Sequence, residues 1–113
     1  MFGMLSGLFL LSGSVAWSQD VMQYGLKHLR VLAEDDKVQV LKYTANKGDR
    51  TPVHSHPSTI LYVVKGGRIR ITLPDGSMQD ADLKSGVALL RPPVTHEDEA
   101  LDDVEIVLIE LKR

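Results

Sequence analysis

The chain has no cysteine, so it can form no disulfide and offers no thiol nucleophile; cysteine usage therefore does not settle its compartment. It lacks a basic excess as well. Thirteen Lys and Arg against fifteen Asp and Glu give a formal charge of −2, and Arg68 and Arg70 are too few to track a phosphate backbone. No apolar run reaches the ~20 residues that a membrane-spanning helix requires. No stretch keeps a helical period, no Ser/His/Asp ordering stands out, and Gly66-Gly67 belongs to no nucleotide fingerprint. These absences exclude nucleic acid as a partner and stable membrane insertion of the mature chain.

What is present begins with the N-terminus. An apolar centre at Met4 to Leu11 is followed by Ser12-Gly13-Ser14 and the small-residue pattern Ala16-Trp17-Ser18. This predicts a secretory signal peptide over residues 1–18, cleaved after Ser18, with a mature domain over 19–113 in the periplasm or outside the cell. The alternative is an apolar arm packed on the domain or on a partner, in a cytoplasmic protein. A mature domain this short has a high surface-to-volume ratio, so help from a metal or a second subunit is expected.

The remainder reads as short runs separated by turns, the all-β pattern. Strands are predicted over Leu26 to Ala33, Val38 to Thr44, Thr59 to Lys65, Arg68 to Leu73, Met78 to Leu83, Val87 to Arg91 and Val104 to Leu111. Arg68 to Leu73 alternates, with Ile69, Ile71 and Leu73 inward. Gly66-Gly67 reads as a tight hairpin and Pro74-Asp75-Gly76-Ser77 as a turn. Met78 to Leu83 is weak enough to lie at an edge, and Val104 to Leu111 is apolar enough to be covered on both faces. The polar stretch from Ala45 to Pro52 reads as a loop, and Glu97-Asp98-Glu99 as a solvated turn; in a second reading one of its carboxylates reaches a metal.

The chemistry concentrates on histidine. His54 and His56 are two apart, so on an extended segment both imidazoles aim at one point. His96 lies forty residues beyond His56 and follows Arg91-Pro92-Pro93, and only His28 is left over. Three neutral imidazoles suit zinc, copper, nickel or iron better than magnesium or calcium. Three other residues are candidates for a pocket. Thr59 can hydrogen-bond a metal-bound water or simply start a strand. Tyr62 is a catalytic hydroxyl or a core aromatic whose hydroxyl reaches the rim. Arg91 binds an anionic substrate or, on the preferred reading, pairs outside the pocket. His28 is expected at the surface or at a dimer contact.

The segment GDRTPVHSHPSTILYVVKGG, from Gly48 to Gly67, resembles the first motif of the cupin superfamily, G-x5-H-x-H-x3,4-E-x6-G. GVALLRPPVTHEDEA, with Gly86, Pro92 and His96, approximates the second, G-x5-P-x-G-x2-H-x3-N. Counting back from Gly66 puts Thr59 where the family has its metal-binding glutamate. Val94 and Ala100 stand for a glycine and an asparagine of the second motif. The resemblance implies a double-stranded β-helix, or jelly roll, with a pocket between two sheets, a divalent metal on His54, His56 and His96, and a small-molecule ligand. It also implies a homodimer, with Val104–Leu111 and Val38–Val40 as the expected shared surface. A small dioxygenase or isomerase-like metalloenzyme, a non-catalytic binding module, and a metal-free structural cupin are the three functional classes it leaves. Thr59→Glu is expected to restore the carboxylate.

Overall fold

Period-two alternation governs the chain from Leu29 onward, and each alternating run becomes a strand with one face turned inward. The structure, a computed structural model, describes residues 27–112. The expected cleavage after Ser18 falls outside them. Nine strands are described: β1 Leu29–Glu34, β2 Val38–Ala45, β3 Arg50–His56, β4 Thr59–Lys65, β5 Gly67–Thr72, β6 Met78–Leu83, β7 Ala88–Arg91, β8 Val94–Ala100 and β9 Val104–Leu111. They form two antiparallel sheets, one ordered β1-β2-β9-β4-β7 and the other β3-β8-β5-β6. The weak polar strand β6 lies at an edge, as its sequence predicts.

The inward faces meet in a core of Leu29, Leu41, Tyr43, Leu61, Ile69, Val104, Ile106 and Leu108. Leu41 and Val63 are fully buried, and each such side chain stabilises the sandwich by roughly 1.5–3 kcal/mol. Strand β9 is central, hydrogen-bonded to β2 along one side and to β4 along the other. Its alternation is strict. Val104, Ile106, Leu108 and Glu110 point inward and are buried, while the residues between them are half-buried on the outer face. The strand is thus covered fully on one face and only partly on the other.

Three local readings are corrected. The polar loop is shorter than expected because β3 begins at Arg50, after a turn closed by a 2.8 Å bond from the Asn46 amide to the Asp49 carboxylate. Glu97-Asp98-Glu99 lies within β8 rather than in a turn, its charges alternating between the two faces. Gly66-Gly67 is not a hairpin, since β4 and β5 belong to different sheets and neither glycine has positive φ. The chain crosses here from one sheet to the other.

The need for glycine at this crossing is steric. A Cβ on Gly66 would sit 2.3 Å from the Leu83 carbonyl oxygen and 2.8 Å from the Ser85 amide nitrogen, both backbone atoms that cannot swing aside. Gly66→Ala is therefore expected to destabilise the fold by about 1–3 kcal/mol or more, read as a lower urea midpoint. An unchanged midpoint would show that the crossing can relax.

Candidate metal centre

Strands β3 and β8 are neighbours, and their register sets His54 directly opposite His96. The pairing register shifts between Thr51 and His54. This bulge matters, because Thr51 and His54 are both buried although they are three residues apart. One extra residue in the stretch that includes Pro52 re-aims the strand, and alternation then brings His56 inward as well. Proline is tolerated here because β3 is an edge strand.

The three rings converge. His54 lies 4.7 Å from His56 and 4.8 Å from His96 between ring centroids, and the third pair is 5.3 Å apart. Their candidate donor atoms all lie within 4.8 Å of one another. All three residues are at most 6% exposed. Hydrogen bonding orients two of the rings. The His54 Nδ1–H donates to the Pro52 carbonyl at 2.7 Å, so its Nε2 carries the lone pair. The His56 Nδ1–H donates to Glu110 Oε2 at 2.6 Å, which likewise leaves its Nε2 free. The Nε2 of His96 is buried without a hydrogen-bond partner. A buried polar atom without a partner is costly, and a cation among three such nitrogens would satisfy it. The donor set therefore fits a first-row transition ion, and three buried histidines can hold one.

Two carboxylates border the cluster. Asp98 lies on the same face of β8 as His96, and its Oδ2 is 3.8 Å from the Nε2 of both His54 and His96. Its Oδ1 accepts from the Tyr43 hydroxyl at 3.3 Å. Glu110 comes from the opposite sheet and is fully buried. The register places it directly across from Thr59, where the sequence motif lacks its acid. Glu110 carries no signal in the sequence beyond interrupting an apolar run, whereas Asp98 follows His96 at the strand period.

Burial dominates the protonation of these groups. Desolvation, then the charges of His54 and Arg91, presses His56 down to about 2. Desolvation, then His54, His56 and Arg91, presses His96 down to about 3. Burial raises Asp98, and it raises Glu110 to about 7 against the opposing pull of Arg91 and His54. Below ~6.5 the unfolded chain protonates both imidazoles while the folded chain does not, so stability falls with pH by about 1.4 kcal/mol per unit for each. Glu110 acts oppositely between its ordinary 4.5 and about 7, where only the folded state holds its proton. Metal-free protein is thus expected to lose stability gently from pH 6.5 to 4.5 and more steeply below. Urea unfolding at each pH measures this, and stability that rises on acidification would refute it.

Other candidates fall differently. Thr59 is buried, and its hydroxyl donates to the Pro57 carbonyl at 2.7 Å. Tyr62 is 45% exposed on the outer face of β4, since Leu61 and Val63 take the inward positions. Arg91 lies inside rather than outside, lining a cavity of about 270 Å³ together with the three histidines, Asp98 and Tyr43. Its inward turn follows from β7, where Arg91 pairs with the buried Thr59. His28 sits away from the cluster, 3.6 Å from the Asp49 carboxylate and edge-on to Tyr43, with its side chain only 10% exposed.

No family model matches the chain, and no curated protein matches it. Solved structures do. A cupin domain from Bordetella pertussis Tohama I superposes with a TM-score of 0.69 at 24% identity, over 75% of this chain and 92% of that one. The chain has the cupin fold. An RmlC-like cupin with a double-stranded β-helix from Methanocaldococcus jannaschii aligns with a TM-score of 0.59 at 18% identity, over 74% of this chain and 78% of that one. A cupin superfamily protein from Desulfitobacterium hafniense DCB-2 gives 0.59 at 22%, over 75% and 76%. Such identities speak for the fold alone, and one fold hosts many chemistries, so the function of this chain must be argued from its own site.

Proposed function

We propose that His54, His56 and His96 hold one divalent transition ion, and that a small molecule enters the adjoining cavity to meet it. The observation that carries this reading is the orientation of the rings. Two Nδ1 atoms are engaged away from the cluster, and the His96 Nε2 is buried with nothing to bind. Zinc, iron, nickel or copper suit the imidazole set. Such an ion supplies Lewis-acid polarisation or oxygen chemistry of the kind a dioxygenase or isomerase-like enzyme uses. The chain's own part is to keep His56 and His96 neutral, to fix the direction of His54 and His56 through Pro52 and Glu110, and to hold Asp98 beside His54 and His96.

Metal analysis of protein purified without chelator tests the proposal. Stoichiometric first-row metal, lost in His54→Ala, is the expected result, and protein free of metal before and after reconstitution would overturn it. Oxygen uptake with candidate substrates then separates an enzyme from a binding module.

We also propose a homodimer formed through the outer face of the five-stranded sheet. Tyr62 and Val64 on β4 and Leu90 on β7 are 45%, 43% and 83% exposed, and Ile60, Val107 and Ile109 extend the apolar surface between them. A two-fold pair is the commonest way to cover such a face. Light scattering should give a dimer mass at micromolar concentration, reduced to the monomer by Leu90→Lys. A monomeric wild type would reject the pairing.

A further inference from the structure

The cavity beside the histidines is mostly aliphatic. Leu29, Leu61, Ile69, Leu83, Ile106 and Leu108 form much of its wall. Leu89, which also lines it, is 41% exposed, so the cavity opens to solvent along the edge strand β7. A wall of this kind accepts hydrocarbon and gives little to a sugar or a nucleotide.

One cation interrupts it. Arg91 lines the cavity, and its Nε is buried with no hydrogen-bond partner. Arg50, Arg68 and Arg70 each pair with a carboxylate, whereas Arg91 forms no salt bridge among the described residues. Glu110 and Asp98 are close enough to act on its charge but do not contact it. A partly buried guanidinium without a partner is costly. Its planar fork matches a carboxylate through two parallel hydrogen bonds, which an alcohol or an amine cannot reproduce.

Charge limits the ligand further. Asp98 also lines the cavity, so a second acidic group on the ligand would meet a carboxyl rather than a cation.

We infer that the ligand of this cavity is a small, largely apolar monocarboxylate, its carboxylate held by the Arg91 guanidinium and its hydrocarbon body packed along the aliphatic wall. This deepens the proposal above by taking the same cavity as the ligand's site, but it does not depend on the ion being bound. The wall supplies affinity for any apolar chain of the right size, and Arg91 supplies the preference for an acid.

Calorimetric titration of the full chain tests it, with hexanoate, hexanol, hexylamine and inorganic phosphate as probes, in zinc-supplemented and in chelator-treated protein. Hexanoate is expected to bind about tenfold or more tightly than hexanol, with hexylamine and phosphate weaker still. Arg91→Met should bring hexanoate down to the level of hexanol. Arg91→Lys, which keeps the charge but loses the fork, should retain part of the preference and serves if the methionine variant does not fold. Equal binding of hexanoate and hexanol, phosphate binding as tight as hexanoate, no binding of hexanoate at millimolar concentration, or an acid preference that survives in Arg91→Met would each overturn the inference. The two readings fail separately. An acid preference without metal uptake sinks the metal centre and keeps the ligand class, and metal uptake without an acid preference does the reverse.

Discussion

Zinc or nickel added to the metal-free protein at neutral pH should raise its melting temperature by on the order of 10–20 °C. A ligand that binds only the folded state stabilises it by about 2.7 kcal/mol at a hundredfold excess over its dissociation constant. Each kcal/mol moves the midpoint of a domain this size by roughly 4–8 °C. Replacing His54, His56 or His96 by alanine should remove most of the rise. His28→Ala should leave it intact, because that ring is engaged with Asp49 and Tyr43. Free imidazoles would lose the metal as pH falls through ~6.5. His56 and His96 are held neutral far below that, so fewer than three protons compete with the ion, and the rise should shrink only gradually towards pH 5. Thr59→Glu, which the motif suggests as a repair, should weaken the protein instead. The new carboxylate would lie directly across the ladder from the buried Glu110, and like charges facing each other in a sheet repel. A melting temperature indifferent to every first-row ion would remove the metal centre.

Glu110 is expected to give the largest effect of any single side chain. It is fully buried, bonded to His56 at 2.6 Å, and its second oxygen has no partner. Glu110→Ala should cost about 2–5 kcal/mol, because it opens a cavity at a fully buried position and leaves the His56 Nδ1–H without its acceptor. Glu110→Gln separates the two roles. Its amide oxygen can still accept from His56 Nδ1–H, so the fold should survive with a smaller loss. The ring then leans on a neutral group rather than an anion, and metal affinity should fall by about 10–100-fold. Urea unfolding of the metal-free variants and titration with zinc measure the two effects independently. Unchanged zinc affinity in Glu110→Gln would show that the acid serves the fold alone.

Much of this was legible in the sequence, because alternation and turn chemistry are local. Ile69 and Ile71 face inward as their spacing requires, β6 takes the edge that its polarity suggests, and the histidine pair sits on an extended segment. Contacts between distant segments were not legible. Glu110 meets a ring fifty-four residues away, and within Val104–Leu111 it looks like a flaw in an apolar strand. Gly66 and Gly67 carry the composition of a hairpin, but the constraint on them is imposed by Leu83, Ser85 and Val104, which only the folded chain brings near. Arg91 was ambiguous because a four-residue strand followed by two prolines offers too little alternation to fix its face. The bulge before His54 left no mark that period-two reasoning could use.

The bond between His56 and Glu110 has a mechanical consequence. Its two ends belong to different sheets, and β3, which carries His56, is held by hydrogen-bonded neighbours on one side only. Apolar contacts between sheets let them slide, whereas a short directional bond does not. The outermost strand of one layer is thereby tethered to the innermost strand of the other. Fraying of β3 should then be limited by the opening of β9, the last strand to be released. Amide exchange in β3 would accordingly follow whole-molecule unfolding rather than the rapid peeling typical of a sheet margin.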